Sequence, residues 1–140
     1  MYSNIVEMKK ITLSRSVDCA WDFYGADPVA LADPDLRQKL RDDVVAAGFT
    51  LVMPPQFHSF EGGGNGISFL AMLMESHVAI HTAPEKFGCL EITIHTCEVD
   101  GIVLEKTSAE KTEVLINIWT RRFMPTRVVK FDKRVRADDL

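Results

Sequence analysis

The chain has 140 residues and a formal net charge of −4 at pH 7, with 46% hydrophobic and 26% charged side chains. These values are typical of one globular domain over residues 1–140, and they exclude a disordered tail, a collagen and a disulfide-rich miniprotein. Three cysteines without framework spacing indicate a reducing compartment, and the first residues lack the pattern of a secretory signal. We therefore expect a cytoplasmic protein.

Two further features of composition bear on partners. The longest apolar run, residues 69–74, is far shorter than a membrane-spanning helix, so no membrane contact is expected. Basic side chains are concentrated at the end of the chain, where residues 121–140 carry seven of the 16 basic and three of the 20 acidic residues. Because the overall charge is acidic and apolar residues are interspersed there, this segment predicts a solvated strand and no nucleic-acid binding.

The first half of the chain contains one clear helix signal. Residues 5–14 are predicted to form a strand, and residues 18–32 a mixed loop. Asp33 and Pro34 then predict the start of a helix, as cap and first-turn residue. Gly48 predicts its end, because glycine readily adopts the left-handed conformation that follows a helix.

The middle of the chain is predicted to be extended. Residues 50–60 precede a glycine-rich turn at 62–66. Residues 67–74 form a continuous apolar run, which predicts a central strand covered on both faces, and residues 76–82 continue extended. Residues 89–97 alternate between apolar and polar side chains and predict a strand with one buried face.

The last part of the chain supplies a second helix and a final strand. Ser108 is the predicted cap of that helix, and residues 127–136 predict the last strand. The predicted order is therefore β-α-β-β-β-α-β. It indicates an α+β fold, a two-layer sandwich of a mainly antiparallel sheet with helices on one face.

Side chains able to do chemistry cluster within thirty positions. They are Ser68, Glu75, Ser76, His77, His81, His95 and Cys97. Two histidines and a His-x-Cys pair resemble zinc ligands, but on a strand His77 and His81 lie about 13 Å apart, too far to share an ion. The glycine-rich turn lacks a phosphate-binding pattern, and the serines lack a nucleophile elbow. We therefore expect no metal.

The string Glu-Ser-His-Val-Ala-Ile-His-Thr-Ala-Pro-Glu at residues 75–85, followed by Thr96-Cys97, resembles the core of the prokaryotic S-adenosylmethionine decarboxylases. Residues 24–28, 47–49 and 57–60 resemble other segments of that family, so the resemblance covers roughly residues 20–100. It implies a self-processing, pyruvoyl-dependent enzyme of polyamine (spermidine) synthesis. It also implies a small-molecule substrate and a homodimer of processed protomers, with active sites near the interface.

The resemblance also implies roles for individual residues. In the family the serine attacks the preceding carbonyl, so the chain is expected to break between Glu75 and Ser76. Ser76 would become the pyruvoyl cofactor, whose carbonyl forms a Schiff base with the substrate and withdraws electrons. Ser68 matches the helper of processing, His81 the processing base, and Cys97 the general acid that protonates the product.

Several positions depart from the family pattern. Ala83 replaces a tryptophan, His95 and Glu98 replace residues that flank Thr-Cys, and the segment between Ser76 and Cys97 is one residue longer. A lost aromatic ring weakens adenine stacking, whereas added carboxylates favour a basic substrate.

Four residues are the candidates for substrate binding, and the departures leave three functions open. The candidates are Phe60, which matches a family aromatic, with Glu85, Glu98 and His95; Glu61 is a further acidic candidate. The leading hypothesis is a decarboxylase of S-adenosylmethionine. The alternatives are a family member that decarboxylates arginine or ornithine, and a catalytically silent binding or regulatory homologue.

Overall fold

The computed structural model of the protein describes residues 17–60, 66–83, 88–97 and 106–132. The first predicted strand, residues 5–14, lies outside the described residues, as do Glu61, Glu85 and Glu98. Within the described ranges, no helix is long and apolar enough to cross a membrane.

The described residues form one six-stranded sheet and three helices. The strands are β1 Val17–Tyr24, β2 Gln56–Ser59, β3 Ile67–Leu73, β4 Ser76–Ala83, β5 Cys89–Thr96 and β6 Arg127–Asp132. The helices are α1 Pro28–Leu31, α2 Leu36–Ala46 and α3 Ser108–Phe123. The strand order is β2-β3-β4-β5-β1-β6, and every neighbouring pair is antiparallel. The predicted α+β class with an antiparallel sheet is confirmed.

The core lies between one face of the sheet and the helices. Alternate residues of β5, namely Leu90, Ile92 and Ile94, are fully buried, as the sequence pattern predicts. Leu40 of α2 and Trp119 of α3 belong to the same hydrophobic cluster. The opposite face of the sheet carries no helix among the described residues, and we call it the open face.

The prediction of a loop over residues 18–32 is wrong. Residues 17–24 form β1, which lies between β5 and β6, and residues 28–31 form a short helix. Trp21 and Phe23 point into the core, while Asp18 and Asp22 alternate with them on the open face. The period of two is that of a strand with one buried face.

The prediction of extended chain from residue 67 to residue 82 is also wrong at one point. The chain reverses direction at Met74 and Glu75, so β3 and β4 form a hairpin. Neither residue is a usual turn residue, which explains why the sequence gives no sign of the reversal. In β3, Leu70 and Met72 are about half exposed, so this strand is covered on one face and not on both.

The ends of α2 lie close to those predicted from the sequence. The helix predicted to start at Asp33 and Pro34 begins at Leu36, while Asp33 accepts a hydrogen bond from the backbone N–H of Asp35. Gly48 follows α2 with φ +103°, as predicted.

The second helix and the last strand also depart from the prediction in detail. The side chain of Thr107, and not that of Ser108, caps α3 by accepting from the backbone N–H of Glu110. The hydroxyl of Ser108 is used elsewhere, because it donates to the carbonyl of Cys97. The last strand is described from Arg127 to Asp132, and residues 133–136 of the prediction lie outside the described residues.

An ion pair joins α2 to α3 on the side of the core away from the open face. The buried carboxylate of Asp43 accepts from Arg122 Nε at 2.6 Å, from Arg122 Nη2 at 2.7 Å and from Trp119 Nε1 at 3.0 Å. The neighbouring carboxylate raises the pKa of Arg122 above its ordinary value. Both carboxylate oxygens of Asp43 are therefore satisfied.

Candidate active site

Ser76 is the first residue of β4, immediately after the turn at Met74 and Glu75. Its φ is +138°, a conformation that a residue with a side chain adopts at a cost in energy. Hydrogen bonding between β3 and β4, and between β4 and β5, fixes it there, with Leu73 and Thr96 as its register partners. The bond between Glu75 and Ser76 therefore lies at a strained point of a rigid hairpin.

The carbonyl oxygen of Glu75 is held by the residue that follows β5. The backbone N–H of Cys97 donates to it at 2.8 Å, and Cys97 Sγ lies 3.6 Å from the same oxygen. A donor in this position polarises the carbonyl and stabilises negative charge on its oxygen when a nucleophile adds to the carbon. The nearest hydroxyl along the chain is that of Ser76.

His77 is in contact with the Ser76 hydroxyl. Ser76 Oγ lies 3.3 Å from His77 Nδ1, and the His77 ring stacks on the ring of His95 with centroids 5.5 Å apart. Partial burial, and secondly the charge of His95, lower the pKa of His77 below its ordinary value of 6.5. The ring is therefore neutral at pH 7 and has a nitrogen lone pair that can accept a proton.

Two further polar groups lie beside Ser76 and the stacked histidine rings. Asp18 Oδ1 is 3.6 Å from His95 Nδ1, so a carboxylate from β1 faces the stacked rings. Thr96, the register partner of Ser76, carries a buried hydroxyl that has no hydrogen-bond partner among the described residues. A buried hydroxyl without a partner is unusual, and this one is available to a polar group formed at Ser76.

The side chain of Glu75 points away from the solvent and is 2% exposed. Its Oε2 accepts from Lys111 Nζ at 2.9 Å, and its Oε1 accepts from the backbone N–H of Thr50 at 3.2 Å. Sequence reasoning did not identify Lys111 as a site residue. The available signal is its position four residues before Leu115, which places a charge on the apolar side of the helix.

Ser68 and His81 form a second cluster at the other end of the hairpin. They are register partners in β3 and β4, and Ser68 Oγ lies 2.7 Å from His81 Nδ1. Because His81 is five residues from Ser76 along one strand, the two lie about 16 Å apart. One chain thus brings Ser76 and Cys97 together, and Ser68 and His81 together, but it does not join the two pairs.

A groove of about 620 Å³ lies beside the second cluster. Ser68, His81 and His58 line it, together with the apolar side chain of Leu70. Another cavity, of about 680 Å³, lies against α1, and none of the predicted site residues line it.

The predicted substrate-binding residues are divided between the two clusters. His95 lies in the Ser76 cluster, as described above. Phe60 follows β2 near the second cluster, where its half-exposed ring contacts the ring of His58 with centroids 4.5 Å apart. Glu85 and Glu98 lie outside the described residues. Among the described residues, no three His, Cys, Asp or Glu side chains form a group suited to a metal ion.

Comparison with known proteins identifies the family of the chain. The family model described as S-adenosylmethionine decarboxylase matches residues 17–132. The chain belongs to the S-adenosylmethionine decarboxylase family. The matched residues include all the strands and helices described above, together with Ser68, Ser76, His81 and Cys97.

Curated relatives within the family carry two different names. The S-adenosylmethionine decarboxylase proenzyme of Thermoplasma volcanium is 30% identical over 84% of this chain and 80% of its own length. That of Parasynechococcus marenigrum is 39% identical over 56% of this chain. The arginine decarboxylase proenzyme of Ignicoccus hospitalis is 32% identical over 54% of this chain. The matches span 59% of the Parasynechococcus protein and 52% of the Ignicoccus protein.

A solved structure confirms the fold. The crystal structure of the adenosylmethionine decarboxylase from Aquifex aeolicus superposes with a TM-score of 0.68 at 21% sequence identity. The match covers 85% of this chain and 88% of the Aquifex chain. The two-layer arrangement is therefore that of a known decarboxylase, although a likeness at this level of identity concerns the fold alone.

Proposed function

We propose that this protein is a self-processing, pyruvoyl-dependent decarboxylase that acts in the cytoplasm on S-adenosylmethionine. The observation that carries the proposal is the Glu75–Ser76 bond itself. Its carbonyl oxygen accepts from Cys97 N–H, its serine is held at φ +138°, and the serine hydroxyl contacts a neutral imidazole. These are the features that an intramolecular attack by Ser76 requires.

The attack begins when Ser76 Oγ adds to the carbonyl carbon of Glu75 and passes its proton to a base, a role that His77 Nδ1 suits at 3.3 Å. The C–N bond then breaks, which leaves an ester between the two residues and a free amine on Ser76. A base, His81 in this proposal, removes the α-hydrogen of Ser76. The Cβ–Oγ bond breaks and the Glu75 carboxylate leaves. Water displaces ammonia from the remaining dehydroalanine.

The product of these steps is a pyruvoyl group at position 76, on a chain that no longer contains residues 1–75. This group supplies an electron sink for decarboxylation. The residues around Ser76 fit such a group, because the Thr96 hydroxyl lacks a partner within the described part of the chain and Cys97 presents an exposed thiol. Cys97 serves as the general acid that returns a proton to carbon after carbon dioxide leaves.

The proposal requires a second copy of the chain. Ser68 and His81 lie about 16 Å along the sheet from their own Ser76, so they do not reach it. In a twofold dimer with open faces together and the axis perpendicular to β4, each β4 would run opposite to the partner's β4, and the Ser68–His81 pair of one copy would approach Ser76 of the other. The half-exposed Leu70 and Met72 lie on that face and would be buried by it.

Arginine is the second candidate substrate. Two curated relatives, from Ignicoccus hospitalis and Hyperthermus butylicus, are named arginine decarboxylase proenzymes and are 32% and 34% identical over the matched residues. Ala83 also stands in place of the family tryptophan, and Asp22 and Glu91 pair across β1 and β5 on the open face. Carboxylates there suit a guanidinium group.

Denaturing mass spectrometry of the purified protein tests the function, with Ser76→Ala as the matched control. The wild type is expected to give two chains, with a borohydride-sensitive pyruvoyl end on the chain that begins at residue 76. Ser76→Ala is expected to stay a single chain of 15.7 kDa. Release of carbon dioxide from S-adenosylmethionine, arginine and ornithine then decides the substrate. A wild type that stays whole contradicts the proposal and favours a silent homologue.

A further inference from the structure

The ion pair between Lys111 and Glu75 is almost completely buried. The two side chains are 5% and 2% exposed, and Nζ lies 2.9 Å from Oε2. Removing two charges from water is costly, and such a pair is often no more stabilising than apolar side chains of similar size. The location of this pair, on the residue whose carbonyl is attacked, therefore calls for an explanation other than stability.

The Lys111 side chain packs closely against the segment that follows α2. Gly48 has φ +103°, and a Cβ placed on it would lie 3.4 Å from Lys111 Cγ, so the lysine stem passes close to the backbone there. The Lys111 ammonium lies 5.9 Å from the centre of the Phe49 ring. The next residue, Thr50, donates its backbone N–H to the other oxygen of Glu75. The segment after α2 and the first turns of α3 thus hold one carboxylate from two sides.

The same helix also fixes the other half of the cleavage site. Ser108 Oγ donates to the carbonyl of Cys97 at 3.0 Å, and the N–H of Cys97 donates to the carbonyl of Glu75. The start of α3 therefore holds Glu75 at its side chain through Lys111 and at its backbone through Cys97. Rotation of the Glu75–Ser76 peptide plane would require one of these contacts to break.

We infer that Lys111 is a positioning residue for self-cleavage: by anchoring the Glu75 carboxylate, it keeps the Glu75 carbonyl on Cys97 N–H and within reach of Ser76 Oγ. The inference rests on the proposed function, because it concerns the rate of the same cleavage. Lys111 touches neither the attacking oxygen nor the carbonyl carbon in this role. After cleavage the same contact joins the chain that ends at Glu75 to the chain that begins at Ser76.

The test compares cleavage rates of the full chain by denaturing mass spectrometry after synthesis. Lys111→Arg keeps the charge and is expected to cleave near the wild-type rate. Lys111→Met is expected to cleave about tenfold more slowly or worse, because a small misplacement of reacting atoms is costly. The double variant Glu75→Gln with Lys111→Met buries no unpaired charge, and it is also expected to cleave slowly, since the carboxylate anchor is gone.

A matched control separates positioning from stability. Arg122→Met breaks the ion pair to Asp43 from the same helix, away from the cleaved bond, and it is expected to lower the melting temperature but not the cleavage rate. If the wild type is not cut, the proposed function fails and this inference fails with it. If the wild type is cut and either Lys111→Met or the double variant matches its rate, the inference alone is overturned. Where Lys111→Met does not fold, the double variant decides.

Discussion

The backbone N–H of Cys97 donates to the carbonyl oxygen of Glu75 at 2.8 Å, across the pairing of β4 with β5. This contact places the residue assigned as the acid of decarboxylation beside the bond assigned to self-cleavage. In the proposed mechanism one position therefore serves both stages through different atoms. The backbone N–H would hold the carbonyl before the cut, and the thiol would be available to a substrate after it.

The two uses of Cys97 are separable by substitution. Cys97→Ala keeps the backbone N–H, and it loses only the 3.6 Å contact of the thiol with the Glu75 carbonyl oxygen, in which sulfur is a weak hydrogen-bond donor. We expect this variant to cleave at a rate close to that of the wild type. Its decarboxylation rate should fall about a hundredfold or more, because a general acid contributes about that much. Mass spectrometry and carbon dioxide release measure the two effects.

Cys89→Ala is the control for that experiment. Cys89 pairs with Ala83 at the far end of the same two strands, so both rates should stay at the wild-type level. Loss of cleavage in Cys97→Ala would show that the thiol, and not the backbone, activates the carbonyl.

Mixed dimers test whether the second copy completes the site. Ser76→Ala lacks the nucleophile and His81→Ala lacks the base, so each variant alone should remain uncut. In a purified mixed dimer, the intact Ser76 of one chain faces the intact His81 of the other. We expect the His81→Ala chain to be cut there, and the Ser76→Ala chain to stay whole. Differently tagged chains and mass spectrometry distinguish the two.

The mixed dimer shows whether His81 acts on Ser76 of its own chain or on Ser76 of the other chain. An uncut His81→Ala chain in the mixed dimer would mean that His81 acts within its own chain. Since about 16 Å separates Ser76 from His81 along β4, that result would require the hairpin to rearrange.

The open face should be the surface that joins the two copies. Met72→Glu introduces a carboxylate on a surface that the dimer would remove from water, and a buried unpaired charge is costly. We expect its dimer to dissociate at least about tenfold more readily, as measured by sedimentation. Val29→Glu is the control, because Val29 is 79% exposed on α1 and away from the open face. Equal sedimentation of the two variants would contradict the arrangement.

The environment of His77 should make stability dependent on pH. Its pKa is lowered in the folded chain, first by burial and then by the charge of His95, so below pH 6.5 the unfolded chain takes up a proton before the folded chain does. Stability from this residue is therefore complete above 6.5 and declines as the pH falls below it. Urea unfolding of the uncleaved Ser76→Ala chain on either side of pH 6.5 measures the decline.

His77→Asn removes the titrating ring and should reduce that decline. An unchanged slope in His77→Asn would place the origin of the pH dependence elsewhere in the protein.

Sequence reasoning worked best where a short local pattern has one physical meaning. The alternation of β5 requires a strand with one buried face, and Gly48 supplies the positive φ that ends α2. Residues 18–32 were predicted to form a loop, although the aspartates of β1 alternate with buried Trp21. The turn at Met74 and Glu75 has no local signature, because pairing with the neighbouring strands, and not turn chemistry, imposes it.

The sequence by itself determined the family to which the proposed chemistry belongs, because the order Glu75-Ser76, His81 and Cys97 follows a family string that local folding does not demand. Only the tertiary structure decided which of these residues meet. The antiparallel pairing of β4 with β5 brings Cys97 to the Glu75 carbonyl and carries His81 to the far end of the strand. Lys111 contacts Glu75 although 36 positions separate the two residues in the sequence, because tertiary packing decides which distant segments meet.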